Sequence, residues 1–261
     1  MTATDAETVS GKTDRKLPLW IEMPLVILVA ILLAFFVKTF LVQIFYIPSG
    51  SMENTLLVGD RVAVNRLAYR IGEPQRGDVI VFDGVDSFVP ADDAPPSEGP
   101  ISGLFTELGR TVGVVPPPDT VFVKRVIGVG GDKVECCDDK GRITVNGTPI
   151  NEPYLFPGNV PSDTPFSVKV PQGKLWVMGD HRAASADSRA HMGEPGGGFV
   201  PVDRALGRGF AVIWPRSQWQ TLPTPEWAEQ LNAEDPPANC EPPLCGVSAA
   251  GGGVSKPTGS S

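Results

Sequence analysis

Two side chains in this sequence have the types and settings that covalent catalysis needs, Ser51 and Lys124. Ser51 lies in Ile47-Pro48-Ser49-Gly50-Ser51-Met52, where Pro48 and Gly50 constrain a turn and Gly50 lets a second backbone come close. A serine held there presents its hydroxyl to a cleft while its own amide faces a developing oxyanion. Taken alone, the run reads as no more than a turn. Lys124 is set in Val121-Phe122-Val123-Lys124-Arg125-Val126-Ile127, a run apolar enough for a core strand. Burial there penalises the ammonium form and pulls the pKa below its ordinary value of about 10.4. A neutral amine then accepts a proton from a serine hydroxyl, as in the Ser-Lys variants of the catalytic triad. The competing reading is an edge-strand lysine whose amine stays in water.

A third cluster, Gly179-Asp180-His181-Arg182-Ala183-Ala184-Ser185-Ala186-Asp187-Ser188-Arg189, is dense in hydrogen-bonding groups. Asp187 and Arg189, joined by Arg125, make a candidate salt-bridge network that fixes this loop, and Ser185 is placed to hydrogen-bond the lysine amine and orient it. The plainer alternative is a surface turn held by charge pairs. His181 and His191 are the only histidines, which argues against a metal site built on several imidazoles. A Ser-His-Asp triad would need one of them, and no G-x-S-x-G elbow accompanies either. No metal and no cofactor are expected. Replacing His181 by Ala is expected to cost little.

The elements that must position these residues begin with an anchor. Leu19–Val37 reads LWIEMPLVILVAILLAFFV, with Glu22 as its one charge, and about 20 such residues span a bilayer core. Lys12, Arg15 and Lys16 outnumber Lys38, so the N-terminus is expected in the cytoplasm and everything after residue 40 outside it. A cleaved signal peptide would carry a small-x-small site after the run, and Lys-Thr-Phe-Leu-Val-Gln has none. The net charge of −8, without a basic stripe, argues against nucleic acid as a partner.

Beyond the anchor the pattern turns β-like. Strands are expected at Arg61–Val64, Asp78–Phe82, Val121–Val129, Lys133–Cys136, Arg142–Val145, Lys174–Met178 and Phe210–Trp214, separated by turns such as Asn146-Gly147 and Gln172-Gly173. Frequent short strands predict a mainly-β, antiparallel domain. Residues 83–119 form an acidic, Pro-rich insertion that reads as a surface loop, with a short amphipathic helix at Ile101–Val115 as the alternative. The tail from about Ala233 is Pro, Gly and Ser-rich and is expected to be disordered. Cys136, Cys137, Cys240 and Cys245 allow three full pairings, and the sequence does not choose among them.

The ordered motifs IPSGSM-x-x-T-L, RGDVIVF, VKRVIGVGGD and GD-x-R-x-x-S-x-D-S-R, behind one anchor, resemble bacterial type I signal peptidase over about residues 19–215. The resemblance implies Ser51 as nucleophile and Lys124 as base, with the Ser49 hydroxyl joining the Ser51 amide in an oxyanion hole. Ser185 would position Lys124, and Asp187, Arg189 and Arg125 would hold the loop. It further implies a β catalytic core, 39–132 and 174–218, with an inserted β cap at 133–173, a cytoplasmic segment 1–18, an anchor 19–38 and a tail 219–261. His181 stands where the family usually has Asn, and the vicinal cysteines match no family role.

The activity so implied is removal of signal peptides from exported preproteins at the outer face of a bacterial plasma membrane, after a small-x-small site. Tyr46, Ile47 and Pro48 on one side and Val121, Phe122 and Val123 on the other would pair with an extended substrate. Membrane lipid and the export translocon are the further partners expected. Phe40, Phe45, Tyr46 and Met52 are expected to rest in the interface. Two rivals are a self-cleaving Ser-Lys protease and a membrane-tethered β scaffold in which Ser51 and Lys124 have no reason to meet.

Overall fold

The computed structural model describes residues 19–90 and 120–234. In chain order, helix α1 (Leu19–Phe40) leads into β1 (Val42–Tyr46), a 3-10 turn at Gly50–Met52, β2 (Arg61–Asn65), the short helix α2 (Ala68–Ile71) and β3 (Val79–Asp83). Then come β4 (Val121–Val129), β5 (Lys133–Cys136), β6 (Ile143–Val145), β7 (Thr148–Pro149), β8 (Phe166–Lys169) and β9 (Lys174–Met178). The last described elements are β10 (Val200–Pro201), β11 (Ala205–Trp214), β12 (Gln220–Thr221) and helix α3 (Glu226–Glu234).

Every pairing between these strands is antiparallel. One sheet runs in the order β1-β2-β11-β3-β4-β9-β10, with β12 added to β11, and a second runs β7-β6-β5-β8. Alternation along β3 shows why its run is apolar throughout. Val79 and Val81 pack with Ile47, Met52 and Leu56, while Ile80 and Phe82 pack with Val126, Leu175 and Val177. A central strand covered on both faces needs no polar side. A third cluster joins the two sheets: Val134, Ile143, Val145 and Phe166 meet Ile127, Trp176 and Met178, and Trp227, Ala228 and Leu231 of α3 complete it.

The structure departs from the sequence reading at several places. The segment after 218, expected as a tail outside the catalytic core, carries structure as far as residue 234, where β12 extends the main sheet and α3 packs into the shared core. The signal was available in Thr224-Pro225, a helix-start pattern ahead of an apolar i, i+1, i+4 stripe. The strand at Phe210–Trp214 begins five residues earlier, at Ala205. Phe45 and Met52 are buried in the core rather than free to rest in a lipid interface. Cys136 is joined to Cys137. Cys240 and Cys245 lie outside the described residues, as do 91–119 with the alternative helix.

Helix α1 is 22 residues long. Side chains are described for Trp20 and residues 22–31 of it, and all of them are exposed. Among the described residues no helix is long and apolar enough to cross a membrane. Residues 1–18, with the basic flank, lie outside the described residues.

Candidate active site

The nucleophile turn follows edge strand β1 directly. Ile47 is clamped on both sides, its N–H donating to Asp60 O at 2.9 Å and its carbonyl accepting from Gly59 N–H at 2.9 Å. Its side chain is buried beside Met52, so the chain leaves this point in a fixed direction and rises into the turn that carries Ser51. Strand β4 enters from the other side, held against β3 by the pairs Val81–Val123 and Ile80–Lys124. Lys124 Nζ comes to 2.8 Å from Ser51 Oγ. Both residues are buried, at 3% exposure for Lys124 and 8% for Ser51. Ser49 Oγ lies 3.4 Å from Ser51 Oγ.

Burial dominates the electrostatics of the lysine. Removal from water lowers its pKa to about 8, against the opposing pull of the Asp187 and then the Asp180 carboxylates. With a pKa of about 8 the amine is neutral in about a tenth of molecules at pH 7 and about half at pH 8, and that neutral form has a lone pair to accept the hydroxyl proton. Val123 O accepts a hydrogen bond from the same nitrogen at 3.2 Å, which fixes its orientation.

Around this pair the loop 179–189 is tied down by charge. Arg189 grips Asp187 through two bonds of 2.9 Å, and Gly179 N–H donates to Asp187 Oδ2 at 3.0 Å. Burial works against ionisation of Asp187, but Arg189 and the Gly179 amide hold its carboxyl below the usual range. Arg125 does not join this pair as expected. It bonds Asp180 at 2.9 and 2.7 Å, donates to Gly77 O at 3.0 Å, and stacks over the Tyr154 ring. Asp180 in turn accepts from the Thr55 hydroxyl, so one carboxylate links β4, the loop and the turn after Ser51. Gly179 is needed where it stands, because a Cβ there would run into Ser51 O and Ser185 Oγ.

Ser185 departs from the sequence expectation. Its hydroxyl is buried without a hydrogen-bond partner, so the expected bond to Lys124 is not formed. It lies close enough to Asp187 to help keep that carboxylate charged, though short of full hydrogen-bond geometry. The lysine is oriented by Val123 O instead.

Of the residues expected to meet a substrate, Val121, Phe122 and Val123 pair with β3 on one side only. The pairing of β4 with β9 begins at Arg125–Met178, so the other edge of 121–123 has no strand partner among the described residues. Tyr46 is exposed at the end of an edge strand and Pro48 is exposed beside it. Ile47 is a correction, since its backbone groups and its side chain are all committed within the fold. Phe122 turns its ring into a cluster with Phe82 and Phe88 and offers the edge only its backbone.

Sequence reasoning missed Asp180, Thr55, Asn54 and Glu152. Asn54 donates to the carbonyls of Tyr154 and Leu155 at 3.0 and 3.1 Å, joining the nucleophile turn to the segment after β7. Glu152 pairs with the buried Arg182. Thr55 and Asp180 both sit inside motifs already singled out, but only the folded chain shows that they bond each other.

Comparison with known proteins shows the family of the chain. A family described as "Signal peptidase, peptidase S26" matches residues 20–214. The "Probable signal peptidase I" of Mycobacterium leprae is 40% identical over 244 residues, covering 84% of each chain. The "Signal peptidase I" of Mycobacterium tuberculosis H37Rv is 38% identical over 239 residues, 83% of this chain and 81% of that one. The "Signal peptidase IB" of Staphylococcus aureus N315 is 32% identical over 222 residues, 79% of this chain and 95% of that one. With the motifs in order and the match running through both the nucleophile turn and the loop at 179–189, this chain belongs to the signal peptidase family, peptidase S26.

Proposed function

We propose that the chain is a membrane-bound endopeptidase that removes signal peptides from exported preproteins after a small-x-small site, with Ser51 as nucleophile and neutral Lys124 as general base. The observation that carries this reading is the 2.8 Å contact between Lys124 Nζ and Ser51 Oγ, made by a lysine whose pKa burial has lowered to about 8. The Ser51 hydroxyl gives its proton to the amine as its oxygen attacks the scissile carbonyl. The oxyanion is met by the Ser51 N–H and the Ser49 hydroxyl. The lysinium then protonates the leaving amine, and the neutral lysine activates water to release the acyl-enzyme. An extended substrate adds to the open edge of Val121–Val123, with Tyr46 and Pro48 along its other side. Asp187, Arg189, Arg125 and Ser185 support the loop without touching the reacting atoms.

The apolar run Leu19–Val37, whose side chains are described only in part, serves as the anchor. Its described apolar side chains, Met23, Leu25, Val26, Ile27, Leu28, Val29 and Ile31, are all exposed, and a helix apolar all round calls for a non-aqueous partner. The basic residues before it place the N-terminus in the cytoplasm and the sheets on the outer face of a bacterial membrane. The main sheet is the catalytic core, and the β5–β8 sheet is the cap. Cleavage of a peptide bearing an Ala-x-Ala site tests the reading. The wild-type chain cuts after the second Ala, while Ser51→Ala and Lys124→Met show no turnover above background. A Lys124→Met variant with full activity would end the dyad.

A further inference from the structure

His181 has no place in the chemistry above, yet one residue here holds the carbonyls on both sides of the Ser51 amide unit. Its main-chain N–H donates to Ser51 O at 3.1 Å. Its side-chain Nδ1 lies 3.2 Å from Gly50 O and 3.0 Å from Glu53 Oε2. Both of these are acceptors, so Nδ1 is the ring nitrogen that carries the donated hydrogen. The ring stacks on Phe156, centroid to centroid at 4.0 Å with 12° between planes, which leaves it little freedom to swing away. Glu53 N–H donates to the same Gly50 O at 3.1 Å. A Cβ at Gly50 would stand 3.0 Å from the Glu53 carboxyl carbon, so the carboxylate lies close against this backbone. The other charged neighbours are committed elsewhere, Asp180 to Arg125 and Arg182 to Glu152.

The peptide unit is planar, with its carbonyl and its N–H pointing in opposite directions. Holding Gly50 O therefore sets the direction of the Ser51 N–H, and donation to a carbonyl also polarises the amide on the far side of the plane. We propose that His181 is a positioning residue for the oxyanion hole, orienting the Gly50–Ser51 peptide so that the Ser51 N–H meets the charge developing on the scissile carbonyl oxygen. This rests on the Ser51–Lys124 reading and revises the expectation that replacing His181 costs little. The contribution belongs to the transition state, where that charge exists, and not to substrate binding.

The test uses the full chain in detergent with the Ala-x-Ala peptide. His181→Phe keeps the stack on Phe156 and removes the donor, and His181→Asn supplies a side-chain N–H. For His181→Phe, kcat falls roughly tenfold, less than the 10²–10³ lost with a direct oxyanion donor, while KM stays within about twofold. The pH midpoint of activity does not move, because it belongs to Lys124. His181→Asn recovers most of the loss. A peptide aldehyde ending in Ala, which forms a tetrahedral adduct on Ser51, binds His181→Phe roughly tenfold more weakly, in step with kcat. If His181→Phe does not fold, His181→Ala is measured on the same scale. Wild-type kcat in the donor-free variant, a loss confined to KM, or unchanged aldehyde affinity would each overturn the role of His181. A wild-type chain that fails to cut the peptide would overturn the Ser51–Lys124 reading instead, and this inference with it.

Discussion

Lys124 is costly to the fold in the state that is common in water. Its folded pKa, about 8, lies below the ordinary 10.5, so between those values the unfolded chain binds more protons than the folded one. Stability therefore rises as pH increases from about 8 towards 10.5, and below that window the whole penalty of a buried ammonium is present. The shift corresponds to a penalty of about 3 kcal/mol at pH 7, partly offset by the hydrogen bonds that the amine makes. Lys124→Met removes it. The variant is expected to unfold at higher urea than wild type at pH 7, by about 1–3 kcal/mol, with the gain shrinking near pH 10. Equal urea midpoints for variant and wild type at both pH values would mean that burial does not lower the pKa of Lys124. The same residue was legible in the sequence as an anomaly, a cation in a β-branched run. Its partner was legible only as a turn. That Ser185 makes no bond to the lysine was not legible at all, because it depends on distances of an ångström or so within a tightly packed loop.

Elements were read well wherever periodicity and turn chemistry agreed. Val121–Val129, Lys133–Cys136 and Lys174–Met178 have the bounds the sequence predicts, and the turns at Asn146-Gly147 and Gly173 take the positive φ that those residues favour. The errors fall where the local signal is thin. Ala205–Gly209 has no β-branched residue, and it becomes strand because β2 and β3 flank it on either side. Helix α3 is nine residues long and follows a Pro-rich stretch, so composition masked it. Its stability comes from tertiary packing, since an isolated helix of that length is marginal. Trp227→Ala is expected to destabilise the protein by about 3–5 kcal/mol, because it opens a cavity in the core that α3 shares with both sheets. Thermal unfolding measures this. A change below about 0.5 kcal/mol, the range of ordinary surface substitutions, would mean that α3 does not dock as described.

At the scale of the whole molecule, one chain must, on the proposed reading, satisfy two solvents. The sheets bury their apolar residues in three clusters, none of whose described members comes from α1. The main sheet begins at Val42, after α1, so on the same reading the sheets carry the chemistry and the helix serves only to hold them at the membrane. Deleting residues 1–40 is expected to release the protein from the membrane fraction on sedimentation while keeping cleavage of the Ala-x-Ala peptide within about tenfold, a tether working through effective concentration and not through the chemistry. A truncated chain that still pellets with membranes would place the attachment elsewhere. This division was visible in the sequence as a switch from one long apolar run to short alternating ones. The burial of Phe45 and Met52 was not, because an apolar residue near an anchor reads alike whether it faces lipid or core.

The account stands most directly on the protonation state of one amine, and the pH dependence of kcat/KM for the Ala-x-Ala peptide reports it in the free enzyme. The predicted profile rises about tenfold per pH unit on the acid side and levels off above a midpoint near 8, the value to which burial brings Lys124. A profile that bends instead near pH ~6.5, the ordinary range of an imidazole, would contradict it and move the base to a histidine.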